Sequence, residues 1–219
     1  MALASGVLVA TAVVDLLPEA HELAGRGAVL EVGIAALAGY LAFTFVEAFL
    51  HQTSFEHAQD IGDPAGPAAV PSRPILAVLP PASLIAHSTL DGLAIGFGFQ
   101  AGADVGLLVL LAVLAHDFAD GLNVVTLALD AARGVRLAVL LLVLDALAPL
   151  VGAGLSLIIR VDAMALGLLL AWFAGVFIAI GAGHLLPEAQ HHNARTAPFL
   201  VAMSAVGAVI VLAVRGLAA

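Results

Sequence analysis

A chain of 219 residues that is 63% hydrophobic and 11% charged has no interior large enough to hide its apolar side chains, which excludes an ordinary water-soluble domain. The formal charge of −9 does not describe a surface, because several acids lie inside apolar runs. With no cysteine, disulfides and thiolate ligands are also excluded, and only three methionines weigh against a soft copper(I) path.

Seven apolar segments follow one another, and they predict an all-α polytopic membrane protein forming a single transmembrane domain over residues 1–219. They cover roughly residues 3–17, 28–50, 75–99, 105–129, 135–159, 163–186 and 197–214. Five reach the roughly 20 residues that cross a hydrocarbon core as a helix; the first is short and the last slightly under. The runs are continuous rather than alternating, so they do not read as barrel strands. No basic residue precedes Arg26, so the N-terminus does not read as a cleaved signal peptide.

The first segment carries Asp15 and closes on Leu16-Leu17-Pro18-Glu19-Ala20. The second ends with Glu47 and His51, one helical turn apart, and Glu56 and His57 follow. Residues 52–74 are rich in Gly, Pro and Asp and predict a loop. Arg73, Arg133, Arg136 and Arg195 fall on that loop's side, against Arg26, Arg160 and Arg215 on the other, which leans towards a cytoplasmic 52–74 loop and N-terminus. The third and fourth segments share the pattern A-H-x-x-x-D-G-L, as Ala86 to Leu93 and Ala115 to Leu122. The fifth holds Asp145, whose carbonyl Pro149 frees from its helical bond. The sixth contains His184 and closes on Leu185-Leu186-Pro187-Glu188-Ala189, with His191 and His192 just beyond.

Both repeats join segments that run in opposite directions. The third and fourth are consecutive, and the first and sixth differ by an odd number of crossings. Together they imply a pseudo-two-fold axis in the membrane plane, a pattern found in transporters with polar sites at mid-membrane.

On a helix, His87 shares a face with Asp91, and His116 with Asp120, while Ser88 and Asp117 lie about 100° round. Asp91, Asp117, Asp120 and Asp145 all fall inside segments, and an acid at a helix centre costs about 2.5–3.5 kcal/mol. No arginine lies centrally enough to neutralise these four, which leaves protons, water or a cation. Imidazole with carboxylate suits Zn²⁺, Fe²⁺, Mn²⁺ or Cd²⁺, and four carboxylates can balance two divalent ions. The simpler reading of a lone intramembrane histidine is a hydrogen bond between helices; the repeated constellation weighs against it here. Glu47, His51, His57, His184, Glu188 and His191 read as a relay giving ions access to the membrane centre, although segment ends are often polar without any such role.

The stretch from His87 to Gly96, reading H-S-T-L-D-G-L-A-I-G, resembles the H-N-x-x-[DE]-G-x-A-I-G signature of the ZIP (Zrt- and Irt-like) metal transporters. His116 to Leu122 resembles the partner motif on the next helix, Asp145 stands at the acidic ligand one helix further on, and His184 to Glu188 is similar to the family's x-x-x-P-E motif. The resemblance implies a binuclear site, elevator-like movement of one helix bundle against another, and a homodimer. It assigns His87, Asp91, His116 and Asp120 to one ion. Ser88, Asp91, Asp117, Asp120 and Asp145 would surround the second, with Asp91 and Asp120 bridging.

Ser88 stands where the family usually has Asn, Leu90 and Ala119 where many members have Pro, and Asp replaces Glu at several ligand positions. The match begins at the family's second helix, so its first has no counterpart among the seven segments. The resulting expectation is a Zn²⁺ transporter of a bacterial inner membrane, carrying ions into the cytoplasm without ATP, organic cofactor or nucleic acid. Two alternatives are an integral-membrane zinc hydrolase, with Ser88 near the metal, and a truncated metal-binding paralogue that does not transport.

Overall fold

The computed structural model describes residues 1–60, 79–130, 134–191 and 196–218, and among them every long element is a helix. There are seven helical runs: α1 (Ala2–Ala24), α2 (Val29–Asp60), α3 (Leu79–Ala101), α4 (Ala103–Asp130), α5 (Val135–Ile158), α6 (residues 163–191) and α7 (Ala197–Ala218). Six are long and apolar enough to cross a membrane. The exception is α3, whose hydropathy is diluted by His87, Ser88, Thr89, Asp91 and Gln100.

Several boundaries depart from the sequence expectation: α6 runs past Pro187 to residue 191 and α7 to Ala218, and two further departures have a clear local cause. Residues 52–60, expected in the loop, continue α2 as helix, because Gln52 to Asp60 contains no Gly or Pro to stop it. The breakers begin at Gly62, and residues 61–74 of the expected loop lie outside the described residues. The first segment, expected to stop at Leu17, runs on past Pro18 to Ala24 and ends at Gly25, whose φ of 87° favours glycine.

A proline inside a helix lacks a donor and crowds the carbonyl four residues back. Here α1 absorbs that misfit in a wide π turn over Thr11–Leu16, and α6 does the same over Ala179–Leu185. Each turn ends two residues before its proline. The Leu17 amide donates to the Ala12 carbonyl, and the Leu186 amide to the Gly181 carbonyl, each five residues back. The sequence repeat around Leu-Leu-Pro-Glu-Ala is therefore repeated in the backbone hydrogen bonding.

Glycines set how closely the helices approach. A β-carbon on Gly175 of α6 would lie 1.8 Å from the Ala36 carbonyl oxygen of α2, and one on Gly39 of α2 would lie 2.0 Å from that of Trp172. The same reciprocal contact joins α3 to α5, where Gly92 meets the Pro149 carbonyl oxygen and Gly152 that of Thr89, both at 2.0 Å. It also joins α1 to α7 through Gly6 and Gly207. Only residues without a side chain let backbones come this near.

The helices sort into two groups. In one, α3 packs on α4 and most extensively on α5; in the other, α1, α2, α6 and α7 pack on one another; contact between the groups is lighter. The Gln100 side chain ties the ends of α3 and α5 together, its Nε2 donating to the carbonyls of Ser156 (2.7 Å) and Ile159 (3.1 Å). Leu8, Leu16, Val109, Leu170 and Phe177 are fully buried at the centre, whereas Leu30, Phe45, Leu150 and Leu157 face outward. Apolar outer faces of this extent suit lipid rather than water.

Arg215 of α7 donates from Nη1 to Oδ1 of the buried Asp15 of α1 at 2.8 Å. Arg215→Gln should strip Asp15 of its ionic partner and lower stability by on the order of 1–3 kcal/mol, between the exposed and buried limits. Adding Asp15→Asn should recover most of that loss in a thermal melt of the detergent-solubilised protein. A melt unmoved by Arg215→Gln would show that the pair contributes nothing.

Candidate metal centre

The two repeated motifs meet where α3 and α4 lie side by side. Both helices run unbroken through their motifs, consistent with Leu90 and Ala119 in place of proline. An i, i+4 spacing puts His87 and Asp91 on one stripe of α3, and His116 and Asp120 on one stripe of α4. Their ligand atoms converge. Asp91 Oδ2 lies 3.3 Å from both His87 Nε2 and His116 Nε2, while Asp120 Oδ2 lies 3.8 Å and 3.7 Å from the same nitrogens. One ligand atom from each residue falls within 4.8 Å of all the others. Around a tetrahedral Zn²⁺ with bonds of about 2.0–2.2 Å, neighbouring ligands sit roughly 3.3–3.5 Å apart. The four nitrogen–oxygen separations, at 3.3–3.8 Å, are close to that, and the remaining pairs lie within 4.8 Å.

The tautomer of His116 decides what the cluster can hold. Its Nδ1 lies 3.0 Å from the Ala112 carbonyl oxygen, which can only accept, so Nδ1 carries a proton and donates it. In the neutral ring Nε2 then has a bare lone pair aimed at two carboxylate oxygens, 3.3 and 3.7 Å away. Lone pairs in that arrangement repel unless positive charge lies between them, as a proton or a cation. A carbonyl fixing the far side of a ligating imidazole is the usual second shell of a metal site.

The remaining residues named for a second ion are only partly gathered. The buried Ser88 hydroxyl donates to Asp145 Oδ1 at 2.7 Å, with the Leu84 carbonyl as a competing acceptor at 3.1 Å. Asp117 and Asp145 line the same cleft of about 340 Å³ between α4 and α5, together with Gly121 and Leu142. Among the described residues, the group whose ligand atoms converge stops at His87, Asp91, His116 and Asp120.

Of the relay residues, Glu47 and His184 come together across α2 and α6, a carboxylate Oε1 against an imidazole Nδ1. Glu188 lies one turn beyond His184. His51 and His57 fall on α2 and His191 at the end of α6, but their side chains lie outside the described residues. The sequence pairing of Glu47 with His51 on one helix gave no hint of the partner on α6.

Two aromatic neighbours also escaped the sequence reading. The Phe43 ring of α2 sits 5.6 Å from the His87 ring, and the Phe177 ring of α6 lies edge-on 6.4 Å from His116. Nothing in a Leu- and Ala-rich run marks one phenylalanine as facing a site and another as facing lipid.

Helices of this length and apolarity around a buried His/Asp cluster define a multi-pass membrane protein with a cation-competent centre. The sequence profile of the family described as ZIP Zinc transporter matches residues 56–215, and the chain belongs to that family. It is also 32% identical over 107 residues to Zinc transporter zipt-7.2 of Caenorhabditis elegans, an alignment that takes in 47% of this chain and 23% of the relative. Membership in a transporter family speaks against the membrane-hydrolase alternative.

Proposed function

We propose that the protein carries divalent metal ions, Zn²⁺ foremost, across a bacterial inner membrane towards the cytoplasm. His87, Asp91, His116 and Asp120 hold one ion. Ser88, Asp117 and Asp145 contribute to a second, with Asp91 and Asp120 bridging. The observation that carries this reading is the convergence of two imidazole nitrogens and two carboxylate oxygens, from His87, Asp91, His116 and Asp120, in a largely buried, apolar setting. Imidazole and carboxylate donors in that arrangement suit a divalent cation, and one that can be exchanged is a cargo.

The division of the helices into α3–α5 and the other four supports an elevator-type exchange, in which the group bearing the ligands shifts against its neighbours. Glu47, His184 and Glu188, and by sequence His51, His57 and His191, provide the relay between the centre and the aqueous phase. A homodimer and the bilayer complete the set of partners.

The purified protein in proteoliposomes should accumulate ⁶⁵Zn²⁺, with Cd²⁺, Mn²⁺ and Fe²⁺ competing. Ligation requires unprotonated imidazole and carboxylate, so apparent metal affinity should weaken as pH falls from neutral towards 5.5. Accumulation no greater than in protein-free vesicles would end the proposal.

A further inference from the structure

The four ligand side chains are not equally enclosed. His116 and Asp91 are 1% and 4% exposed, whereas His87 and Asp120 are 14% and 13% exposed. The centre therefore has one open edge, formed by one imidazole from α3 and one carboxylate from α4. Phe43 of α2 stands against that edge, its ring tilted over His87. One turn further along the same face of α2 is Glu47, paired with His184, and His184 lies within electrostatic reach of Asp120. Phe43 at the open edge and Glu47 with its His184 partner thus lie one turn apart on the same face of α2.

Phe43 also belongs to the other helix group. Its helix is held to α6 by the Gly39 and Gly175 contacts, while His87 and Asp120 ride on α3 and α4. The contact between Phe43 and His87 thus crosses the lighter interface between the groups.

We propose that Phe43 is the gate of the ion centre: its ring closes the His87/Asp120 edge against the Glu47–His184 pair, and ions pass only when the two helix groups displace it. This inference rests on the proposed ion site and adds to it the side chain that sets the rate of exchange. An apolar ring suits the task, because a hydrophobic constriction stops ions by withholding water while binding none itself.

The absence of native cysteine gives a test that does not depend on metal. Asp120→Cys puts a thiol at the open edge, and a small cationic methanethiosulfonate reagent reports its accessibility in lipid nanodiscs. Phe43→Ala and the milder Phe43→Leu should raise the modification rate, by about tenfold for Ala, and Phe43→Trp should lower it. Phe199→Ala, on an exposed stretch of α7, should leave it unchanged. A rate that is the same with Phe, Leu and Ala at position 43 would overturn the gate.

In the chain with Asp120 intact, Phe43→Leu should also speed the stripping of bound Zn²⁺ by an excess of chelator. A native protein that holds no Zn²⁺ would refute the ion site, while the thiol measurement would still decide whether Phe43 closes the edge.

Discussion

Asp91→Asn and His116→Ala should each bring metal uptake down to the background of empty vesicles while the protein still folds and inserts. Asp91 Oδ2 is the oxygen nearest both imidazoles, so its loss removes the atom on which the other ligands converge. Outer-shell changes at metal sites already cost about 10–100-fold in affinity, and losing a ligand should cost more. The Asn variant keeps the shape and a hydrogen-bonding oxygen, so its failure would report charge rather than packing.

The same substitutions separate a site from a structural contact. A carboxylate in the membrane interior costs about 2.5–3.5 kcal/mol, so metal-free Asp91→Asn should be no less stable than the metal-free native protein. Zn²⁺ at 100 times its dissociation constant should then stabilise the native protein by about 2.7 kcal/mol and the variant hardly at all. Melting curves with and without chelator measure both. Equal stabilisation of the two, or native-like uptake by the variants, would remove Asp91 and His116 from the site.

Gly175→Val should disrupt the pairing of α2 with α6 more severely than any surface change. Its β-carbon would lie 1.8 Å from the Ala36 carbonyl oxygen and 2.8 Å from the Tyr40 amide nitrogen, both backbone atoms that no rotamer change can move aside. The helices would have to separate by more than an ångström, and overpacking of that kind costs about 1–3 kcal/mol or more. The expected result is a low yield of monodisperse protein and a lowered melting temperature. Gly154→Ala is the matched control, since nothing lies within 4 Å of its added carbon and alanine favours a helix. Gly175→Val behaving like that control would mean that the close approach does not hold the pair together.

Much of this could be read in the sequence because the membrane imposes simple rules. Long apolar runs fix the helices, and a spacing of four fixes which polar residues share a face. His87 with Asp91 and His116 with Asp120 followed directly, and the structure converges all four. What pairs with what across helices was not legible. Glu47 meets His184, and Asp15 meets Arg215, over separations in sequence that no local pattern encodes. The boundaries slipped for related reasons. Pro18 looked like a terminator because a proline is more often an end than an interior misfit, and the π turn that accommodates it leaves no mark in hydropathy.

Those π turns carry a consequence for how the chain tolerates length changes. Each holds about one residue more than an α-helical turn at the same place. Losing a residue between 179 and 185 could be taken up by reverting to ordinary winding, leaving Pro187 and Glu188 facing as before. A deletion in the unbroken α4 has no such slack and would rotate everything beyond it by roughly 100°. The mirrored turns of α1 and α6 are thus places where a helix can absorb a one-residue deletion without turning its polar residues away from their neighbours.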